Sequence, residues 1–251
     1  MKLKTTEEIE ILTEGGAKLA QIMRELVEMC QPGTSSLDLD KSAEEKILSI
    51  GGRPSFKGFG PVGEEFPATL CISPNDMVVH GIPSEELTFK EGDLIGIDIG
   101  MEYKGLYTDH AVTVPIGEIS QEAKELLEIT KKCLQIAIDK AQVGNHVGDV
   151  GYAVQKHAED AGYGVVRKLT GHAVGYAVHE EPRIPNYGSV GEGEVLEEGA
   201  VLALEPMINI GTHDVKTATD GWGIVTADNK LAAHFEHTVV VTKNGPKILT
   251  I

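Results

Sequence analysis

Four acidic residues, Asp98, Asp109, Glu205 and Glu236, lie in the most apolar segments of the chain. Acidic residues are depleted in β-strands and are seldom buried unless paired, yet these segments contain no lysine or arginine to pair with them. Carboxylates that converge without cations repel one another and raise each other's pKa. Two divalent ions would balance four ionised carboxylates, which carry a charge of about −4. These residue types therefore predict a site for two divalent metal ions.

Histidines supply candidate nitrogen ligands for the same site. His172 lies in a glycine-rich stretch, residues 170–175, and His179 follows seven residues later. Mixed nitrogen and oxygen ligation suits manganese, iron, cobalt or zinc better than magnesium or calcium. Six other histidines are interpreted as structural: His110, His146, His157, His213, His234 and His237.

A pair of strands would position the first two acids. Residues 93–100 and 106–114 alternate in the manner of β-strands, and residues 101–105 would join them as a hairpin. Because side chains alternate between the two faces of a strand, Asp98 points away from the isoleucines beside it. A turn in the joining segment sets Asp109 roughly opposite Asp98, so that both carboxylates lie on one face of the sheet.

An internal repeat relates these two acids to the other two. Residues 109–114 recur as residues 236–241, an offset of 127, and the segment 91–98 recurs with an offset of 107 at residues 198–205. The chain is therefore predicted to be one α/β domain, residues 1–251, made of two similar halves, about 1–116 and 117–251. The four acids would converge where the halves meet.

Helices are predicted ahead of the strands in both halves. Thr5 and Glu8 form a capping-box pattern before apolar residues at helical spacing, and Pro32-Gly33 would end this helix. A second helix is predicted over residues 38–49. The motif around residues 31–33 recurs at residues 142–144, so a second pair of helices is expected in the second half.

Charge and cysteine content limit the classes of function. The chain has 22 Lys and Arg against 39 Asp and Glu, a net charge of −17, so neither nucleic acid nor an anionic membrane is expected as a direct partner. The N-terminus lacks the apolar segment of a signal peptide, and no stretch reaches the roughly 18 apolar residues of a membrane span. Cys30, Cys71 and Cys133 are widely spaced, which fits reduced thiols in a cytoplasmic protein.

Short motifs along nearly the whole chain resemble, as an ordered set, those of type I methionine aminopeptidases. They are His80-Gly81-Ile82-Pro83, Asp98, Asp109, Thr170-Gly171-His172, His179-Glu180-Glu181-Pro182, Leu204-Glu205-Pro206-Met207 and Phe235-Glu236-His237-Thr238. The resemblance implies the pita-bread fold, two pseudo-symmetric halves with a curved antiparallel sheet flanked by helices. It also implies an enzyme that removes the N-terminal methionine from nascent proteins and peptides.

The resemblance implies roles for individual residues as well. Five of them would bind two divalent metal ions, with Asp109 and Glu236 bridging: Asp98, Asp109, His172, Glu205 and Glu236. His80, His179 and Glu205 would be the catalytic residues. Six residues would contact the substrate: His80, His179, Phe66, Cys71, Val178 and Trp222. A monomer that acts on the N-termini of nascent chains, with at most a transient contact with the ribosome, is expected.

Four features depart from the usual bacterial pattern of this family. The segment 60–65 is longer, Ala173 stands where glycine is commoner, Val178 stands where a larger and often aromatic residue is found, and Gly100 stands where threonine is frequent. None of these is a predicted metal ligand. They predict an altered specificity pocket, and the small Val178 predicts a weaker preference for methionine over leucine.

Other functions remain open. An Xaa-Pro aminopeptidase or prolidase would share the five ligand types, but such proteins usually carry a further N-terminal domain, for which Asp98 comes too early in the chain. A peptide-binding module of the same fold would be expected to have lost ligands, and all five are present. A serine or cysteine hydrolase is poorly supported because there is no Gly-x-Ser-x-Gly motif and Cys71 lacks a local signature.

Overall fold

The computed structural model describes all 251 residues and contains four α-helices and fifteen β-strands. The helices are α1 (Thr6–Met29), α2 (Ser36–Ser49), α3 (Gln121–Lys140) and α4 (Val147–Asp160). The strands are β1 (Arg53–Pro54), β2 (Leu70–Pro74), β3 (Met77–Val79), β4 (Leu94–Tyr103), β5 (Leu106–Pro115), β6 (Gly164–Val165), β7 (Gly171–Ala173), β8 (Glu180–Ile184), β9 (Val201–Leu204), β10 (Met207–Asn209), β11 (Val215–Thr217), β12 (Ile224–Thr226), β13 (Ala232–His234), β14 (Glu236–Thr242) and β15 (Gly245–Ile248).

The helices form in both predicted pairs, with local signals at their ends. The Thr5 hydroxyl accepts a hydrogen bond from the Glu8 N–H at 3.3 Å, and the Glu8 carboxylate accepts one from the Thr5 N–H at 2.8 Å, which confirms the capping box. Helix α2 begins at Ser36, two residues earlier than predicted, because the Ser35 side chain caps it. None of the four helices combines the length and apolar character that a membrane span requires.

A nine-stranded antiparallel sheet is the frame of the molecule. Its main path is β1-β4-β5-β14-β9-β7-β8, with β2 also paired to β4 and β15 to β14. Strands β5 and β14 pair with each other, so the two halves of the chain meet inside one sheet. Two small sheets complete the fold, in the orders β13-β10-β6 and β11-β12-β3.

The β4–β5 hairpin is longer than predicted. Pairing continues to Tyr103 opposite Leu106, and the turn contains only Lys104 and Gly105, with φ values of +52° and +85°. This two-residue turn with both φ values positive is of type I′ and matches the twist of the strands. Residues 101–103 alternate in polarity but are all buried, and Glu102 pairs with Arg53 of β1, a tertiary contact that the local sequence does not reveal.

Two large apolar cores lie between the helices and the main sheet. Ile95, Ile97 and Ile99 of β4 belong to an apolar core shared with α1 and α2. A second core joins α3 and α4 to β9 and β14. Because Asp98 alternates with these isoleucines, its side chain lies on the opposite face of β4.

Candidate active site

Three carboxylates lie on one face of three neighbouring strands. Ala111 of β5 pairs with Asp98 of β4 on one side and with Glu236 of β14 on the other. Asp109 lies two residues before Ala111 and therefore on the same face. Asp109 pairs with Gly100, two residues after Asp98. Asp98 and Asp109 are therefore diagonal neighbours and not directly opposite each other, as the sequence roughly predicted.

The fourth carboxylate and an imidazole come from the next strands of the same sheet, beyond β14. Glu205 directly follows β9, and its backbone carbonyl accepts a hydrogen bond of 3.0 Å from the Asn186 side chain. His172 pairs with Ala203 of β9, and its Nε2 lies 3.5 Å from Glu205 Oε1. All five predicted ligands line one cavity: Asp98, Asp109, His172, Glu205 and Glu236.

The donor atoms of this cluster fit metal ions. Ligand atoms of Asp109, His172 and Glu236 all lie within 4.8 Å of one another. Asp98 Oδ1 and Glu236 Oε1 are buried and accept no hydrogen bond from the protein. A bound cation would compensate these buried oxygens, and the mixture of carboxylates with one imidazole suits divalent transition metals. The residues present therefore fit a metal centre.

Burial controls the protonation of the cluster. It raises the pKa of Asp98, Glu205 and Glu236 well above the usual range, and neighbouring carboxylates add to the shift. Burial also raises the pKa of Asp109 to about 7. It lowers the pKa of His172 to about 3, so the ring is neutral and can offer a lone pair to a cation. Metal binding would therefore displace protons from the carboxylates.

Side chains behind the cluster hold its strands in place. The Thr238 hydroxyl accepts a hydrogen bond from the Asp109 N–H and donates one to the Asp109 carbonyl, both at 2.8 Å. His110 Nδ1 donates to the Glu236 carbonyl at 2.7 Å, and the His110 ring stacks on His237 with centroids 4.8 Å apart. His110 and His237 thus support the strands that carry two of the acids.

Two further histidines line the same cavity. His80 follows β3 with a φ of +61°, which is uncommon for a residue other than glycine. Gly81 is needed next to it because a Cβ there would lie 2.0 Å from a backbone oxygen of β2. The His179 ring packs edge-on against His172 and Phe59, with centroid distances of 4.5 and 5.0 Å. Both histidines lie beside the carboxylates, where a reacting group could meet them.

The remaining wall of the cavity is apolar. The cavity has a volume of about 90 Å³, and its apolar residues are Phe56, Phe59, Phe66, Cys71 and Trp222. The Phe66 ring packs edge-on against Trp222 with centroids 5.2 Å apart. The structure thus places three residues that the resemblance implied, Phe66, Cys71 and Trp222, at the wall.

Val178 lies elsewhere than expected. It is buried in an apolar cluster with Phe56, Phe66, Ala68 and Cys71, but it is not among the residues that line the cavity. Its short side chain ends inside this cluster, behind the wall. Contact of Val178 with a substrate side chain therefore stays a prediction.

The longer segment 60–65 does not refill the space left by a small residue at position 178. Backbone hydrogen bonds from Phe66 to Phe59 and from Gly58 to Phe66, at 2.7 and 2.8 Å, close the segment at its base. Its tip points to solvent, with Val62 98% exposed. No residue of this segment lines the cavity.

Gly100 makes room for Phe56, which lines the cavity. A Cβ at Gly100 would lie 2.1 Å from Ser55 Oγ and 2.6 Å from Phe56 Cε1. The aromatic ring at position 56 therefore requires the absence of a side chain at position 100.

Sequence reasoning missed three residues of the site. Phe56 and Phe59 lie in a glycine- and proline-rich segment without periodicity, which offered no signal. His234 was interpreted as structural, yet its Nε2 lies 3.5 Å from Glu205 Oε2 and makes no hydrogen bond. His234 ends β13 and Glu236 begins β14, so strand alternation alone offered no signal that would place this ring beside Glu205.

Comparisons with known proteins give a consistent result. A model of metallopeptidase family M24 matches residues 10–243. The methionine aminopeptidase of Clostridium acetobutylicum is 43% identical over 249 residues, 99% of this chain and 98% of that protein. Methionine aminopeptidase 1 of Bacillus subtilis is 42% identical over 247 residues, 98% of each protein.

Solved structures resemble this chain over its whole length. The crystal structure of the methionine aminopeptidase from Thermotoga maritima superposes with a TM-score of 0.96 at 41% identity, covering 100% of this chain and 99% of that one. The prolidase from Pyrococcus furiosus superposes with a TM-score of 0.78 at 24% identity, covering 99% of this chain and 65% of that one. The second likeness concerns the fold alone.

Proposed function

This chain belongs to metallopeptidase family M24, and from that premise we propose that it removes the N-terminal methionine from peptides and nascent proteins. It has the pita-bread fold, an α/β arrangement, that the sequence resemblance predicted. Relatives named methionine aminopeptidase match it over almost its entire length, so the activity is supported by the whole chain rather than by a few motifs.

One observation carries the proposal: five metal-ligand side chains and an apolar chamber line the same cavity. Four aromatic rings and Cys71 provide the adaptable apolar surface that a flexible thioether side chain needs. Ala68 and Val178 are buried in the same apolar cluster as Phe56, Phe66 and Cys71. Because the cavity is small, about 90 Å³, we propose that it accepts one side chain, that of the first substrate residue. The bond beside the metal ligands is then the first peptide bond of the substrate.

The site would hold two divalent ions, with cobalt, manganese, iron and zinc as the candidates. Asp109 and Glu236 would help to hold both ions, and their ligand atoms lie within 4.8 Å of each other and of His172. Asp98, His172 and Glu205 would complete the coordination. When bound, the ions would polarise the scissile carbonyl and lower the pKa of a water molecule.

Side chains of the protein transfer the protons during the reaction. Glu205 accepts a proton from the attacking water and passes it to the leaving amine. Glu205 lines the cavity beside the other ligands, which puts its carboxylate within reach of a water molecule held there. His179 donates a hydrogen bond to the carbonyl oxygen as it becomes negative, and His80 orients the leaving nitrogen.

Cleavage before proline is the alternative activity within the same family. The likeness to a prolidase, at 24% identity, supports a shared fold without a shared substrate. A non-catalytic peptide-binding module is disfavoured because the five ligand side chains are all present and converge.

A peptide panel separates these functions. Metal-loaded protein should release methionine from Met-Ala peptides at least about tenfold faster than leucine from Leu-Ala peptides or the first residue from Xaa-Pro peptides. Glu205→Gln should lose kcat, while Glu197→Gln, at an exposed position, serves as the matched control. A preference for Xaa-Pro peptides, or full activity of Glu205→Gln, would contradict the proposal.

We further propose that residues 1–251 act as one domain of two related halves and as a monomer in the cytoplasm, with a transient ribosome contact. The three cysteines are free and buried, which fits a reducing compartment. Sedimentation of the purified protein tests the monomer directly.

A further inference from the structure

The N-terminal segment contains a buried lysine. Lys4 is only 5% exposed, although lysines are seldom fully buried without a partner. Its Nζ donates hydrogen bonds to both carboxylate oxygens of Glu180, at 3.3 and 3.1 Å, and to the Lys2 carbonyl at 3.1 Å. These contacts use all three donors of the ammonium group. Lys4 and Glu180 thus form a complete, buried ion pair between distant parts of the chain.

Glu180 also holds the loop that precedes it. Its carboxylate accepts hydrogen bonds from the backbone N–H groups of Tyr176 and Ala177. Lys4 Nζ lies 4.6 Å from the centroid of the Tyr176 ring, and the Tyr176 hydroxyl donates to Glu8 at 2.8 Å. The N-terminal segment and the first turn of α1 therefore contact this loop at several points.

The loop is shaped to admit Lys4. A Cβ at Gly175 would lie 2.3 Å from Lys4 Cε, so only glycine leaves space for the lysine side chain. On the other side of the segment, the Lys4 N–H donates to the Gly199 carbonyl at 2.9 Å. Lys4 is thus fixed by its backbone as well as by its side chain.

This loop carries His179, which directly precedes Glu180. The His179 ring makes no hydrogen bond within the protein, and its recorded ring contacts are edge-on packing against His172 and Phe59. The position of the ring therefore depends on the backbone of the loop. We propose that Lys4 is a positioning residue, whose ion pair with Glu180 fixes the loop 175–179 and thereby places His179. This inference rests on the catalytic role proposed above for His179.

Removing the lysine charge should loosen the loop. Lys4→Met leaves the buried Glu180 carboxylate without its counter-ion, and a displacement of about 1 Å at a catalytic group can cost about 100-fold in rate. We expect kcat to fall by about 10- to 100-fold, while KM and bound metal stay near their wild-type values. Lys2→Met is the matched control: Lys2 is exposed, its Nζ lies 5.8 Å from the centroid of the Tyr176 ring, and it does not pair with Glu180, so this variant removes a charge near the loop and keeps the ion pair.

Hydrogen exchange gives a readout that does not depend on activity. In Lys4→Met the amides of Tyr176 and Ala177 should exchange faster than in wild type, and in Lys2→Met they should not. Glu180→Gln should show the same loss, which keeps the test open if Lys4→Met folds poorly. Unchanged amide exchange and unchanged kcat in both variants would overturn the inference.

A His179→Ala background separates positioning from general damage. If Lys4 acts through His179, adding Lys4→Met to His179→Ala should lower kcat no further. A second, equally large fall in that background would mean that Lys4 supports the fold at large, and would also overturn the inference. Failure of the wild-type protein to release methionine would instead refute the proposed function, while the exchange measurement would still decide whether Lys4 holds the loop.

Discussion

Asp98 and Glu236 face the same small residue, Ala111, from the strands on either side of it. Residues directly opposite on neighbouring strands have Cβ atoms about 5 Å apart, so the Ala111 methyl lies between the two carboxylates on the face of the sheet. The residue is 1% exposed. A short side chain at this position leaves the space between the two acids free for a cation.

Ala111→Leu should therefore weaken metal binding without removing any ligand. The larger side chain would occupy the space between Asp98 and Glu236, and we expect the dissociation constant for divalent ions to rise by about tenfold or more, an effect of at least about 1.4 kcal/mol. Titration calorimetry would measure it. Val112→Leu, with its side chain on the other face of the same strand, is the matched control, and equal metal affinity in both variants would contradict the prediction.

The second prediction concerns pH in the metal-free protein. Burial raises the pKa of Asp109 to about 7, above its value of about 3.9 in an unfolded chain. Between these values the folded protein retains a proton that the unfolded chain has released, so this carboxyl destabilises the fold increasingly as pH rises from about 4 to about 7. Above that range the penalty is constant. The four carboxylates interact, so the titration belongs to the cluster.

The amide in Asp109→Asn cannot ionise, so the variant should gain stability over wild type across this pH window when a chelator is present. Added divalent metal should reverse the order, because it stabilises the wild-type site more strongly. Urea unfolding at several pH values, with and without metal, measures both effects. A stability difference that is independent of pH would show that Asp109 is not protonated in the metal-free protein.

Alternation and repetition explain why the acids could be identified from the sequence. Asp98 lies among isoleucines whose side chains must point to the helices, so its own direction follows from the period of a strand. The repeat then extends this reasoning to Glu205 and Glu236. Their convergence in one cavity agrees with the expectation.

The apolar wall of the cavity could not be predicted in the same way. Phe56 and Phe59 reach the cavity through an irregular segment whose path is set by turns and by tertiary contacts, which no periodic pattern encodes. Val178 illustrates the opposite case. Its position before His179 predicted a place in the cavity wall, but it packs in the apolar cluster beside the lining residues. The hairpin turn at Lys104-Gly105 is shorter than predicted for a related reason, since β4 is extended by the tertiary pairing of Glu102 with Arg53 of β1.

The third prediction follows from Phe56. Phe56→Ala removes a ring from the cavity wall and should lower the ratio of kcat/KM for methionine over leucine, because each unfilled methylene-sized space is worth about 1 to 3 kcal/mol of discrimination. Val178→Ala is the matched control, since it empties space in the same cluster without uncovering the cavity. We expect a larger change in Phe56→Ala, measured with paired Met-Ala and Leu-Ala peptides. A larger change in Val178→Ala would mean that position 178 forms the wall after all.

The last prediction tests how closely α1 lies against the C-terminal segment. A Cβ at Gly16 would lie 2.4 Å from the Leu249 carbonyl oxygen, a backbone contact that cannot shift easily, whereas a Cβ at Gly15 would lie 3.3 Å from the Tyr103 side chain. Alanine is favoured over glycine in a helix by about 1 kcal/mol, but overpacking a tight contact costs about 1 to 3 kcal/mol.

We therefore expect Gly16→Ala to lower the free energy of unfolding by about 1 to 2 kcal/mol, while Gly15→Ala, its neighbour on the same helix, stays near wild type or becomes slightly more stable. Urea unfolding of the two variants measures the difference. Because Leu249 directly follows β15, which pairs with the strand that carries Glu236, a displaced C-terminal segment should also weaken metal binding in Gly16→Ala. Equal stability of the two variants would mean that α1 can move away from this segment without cost.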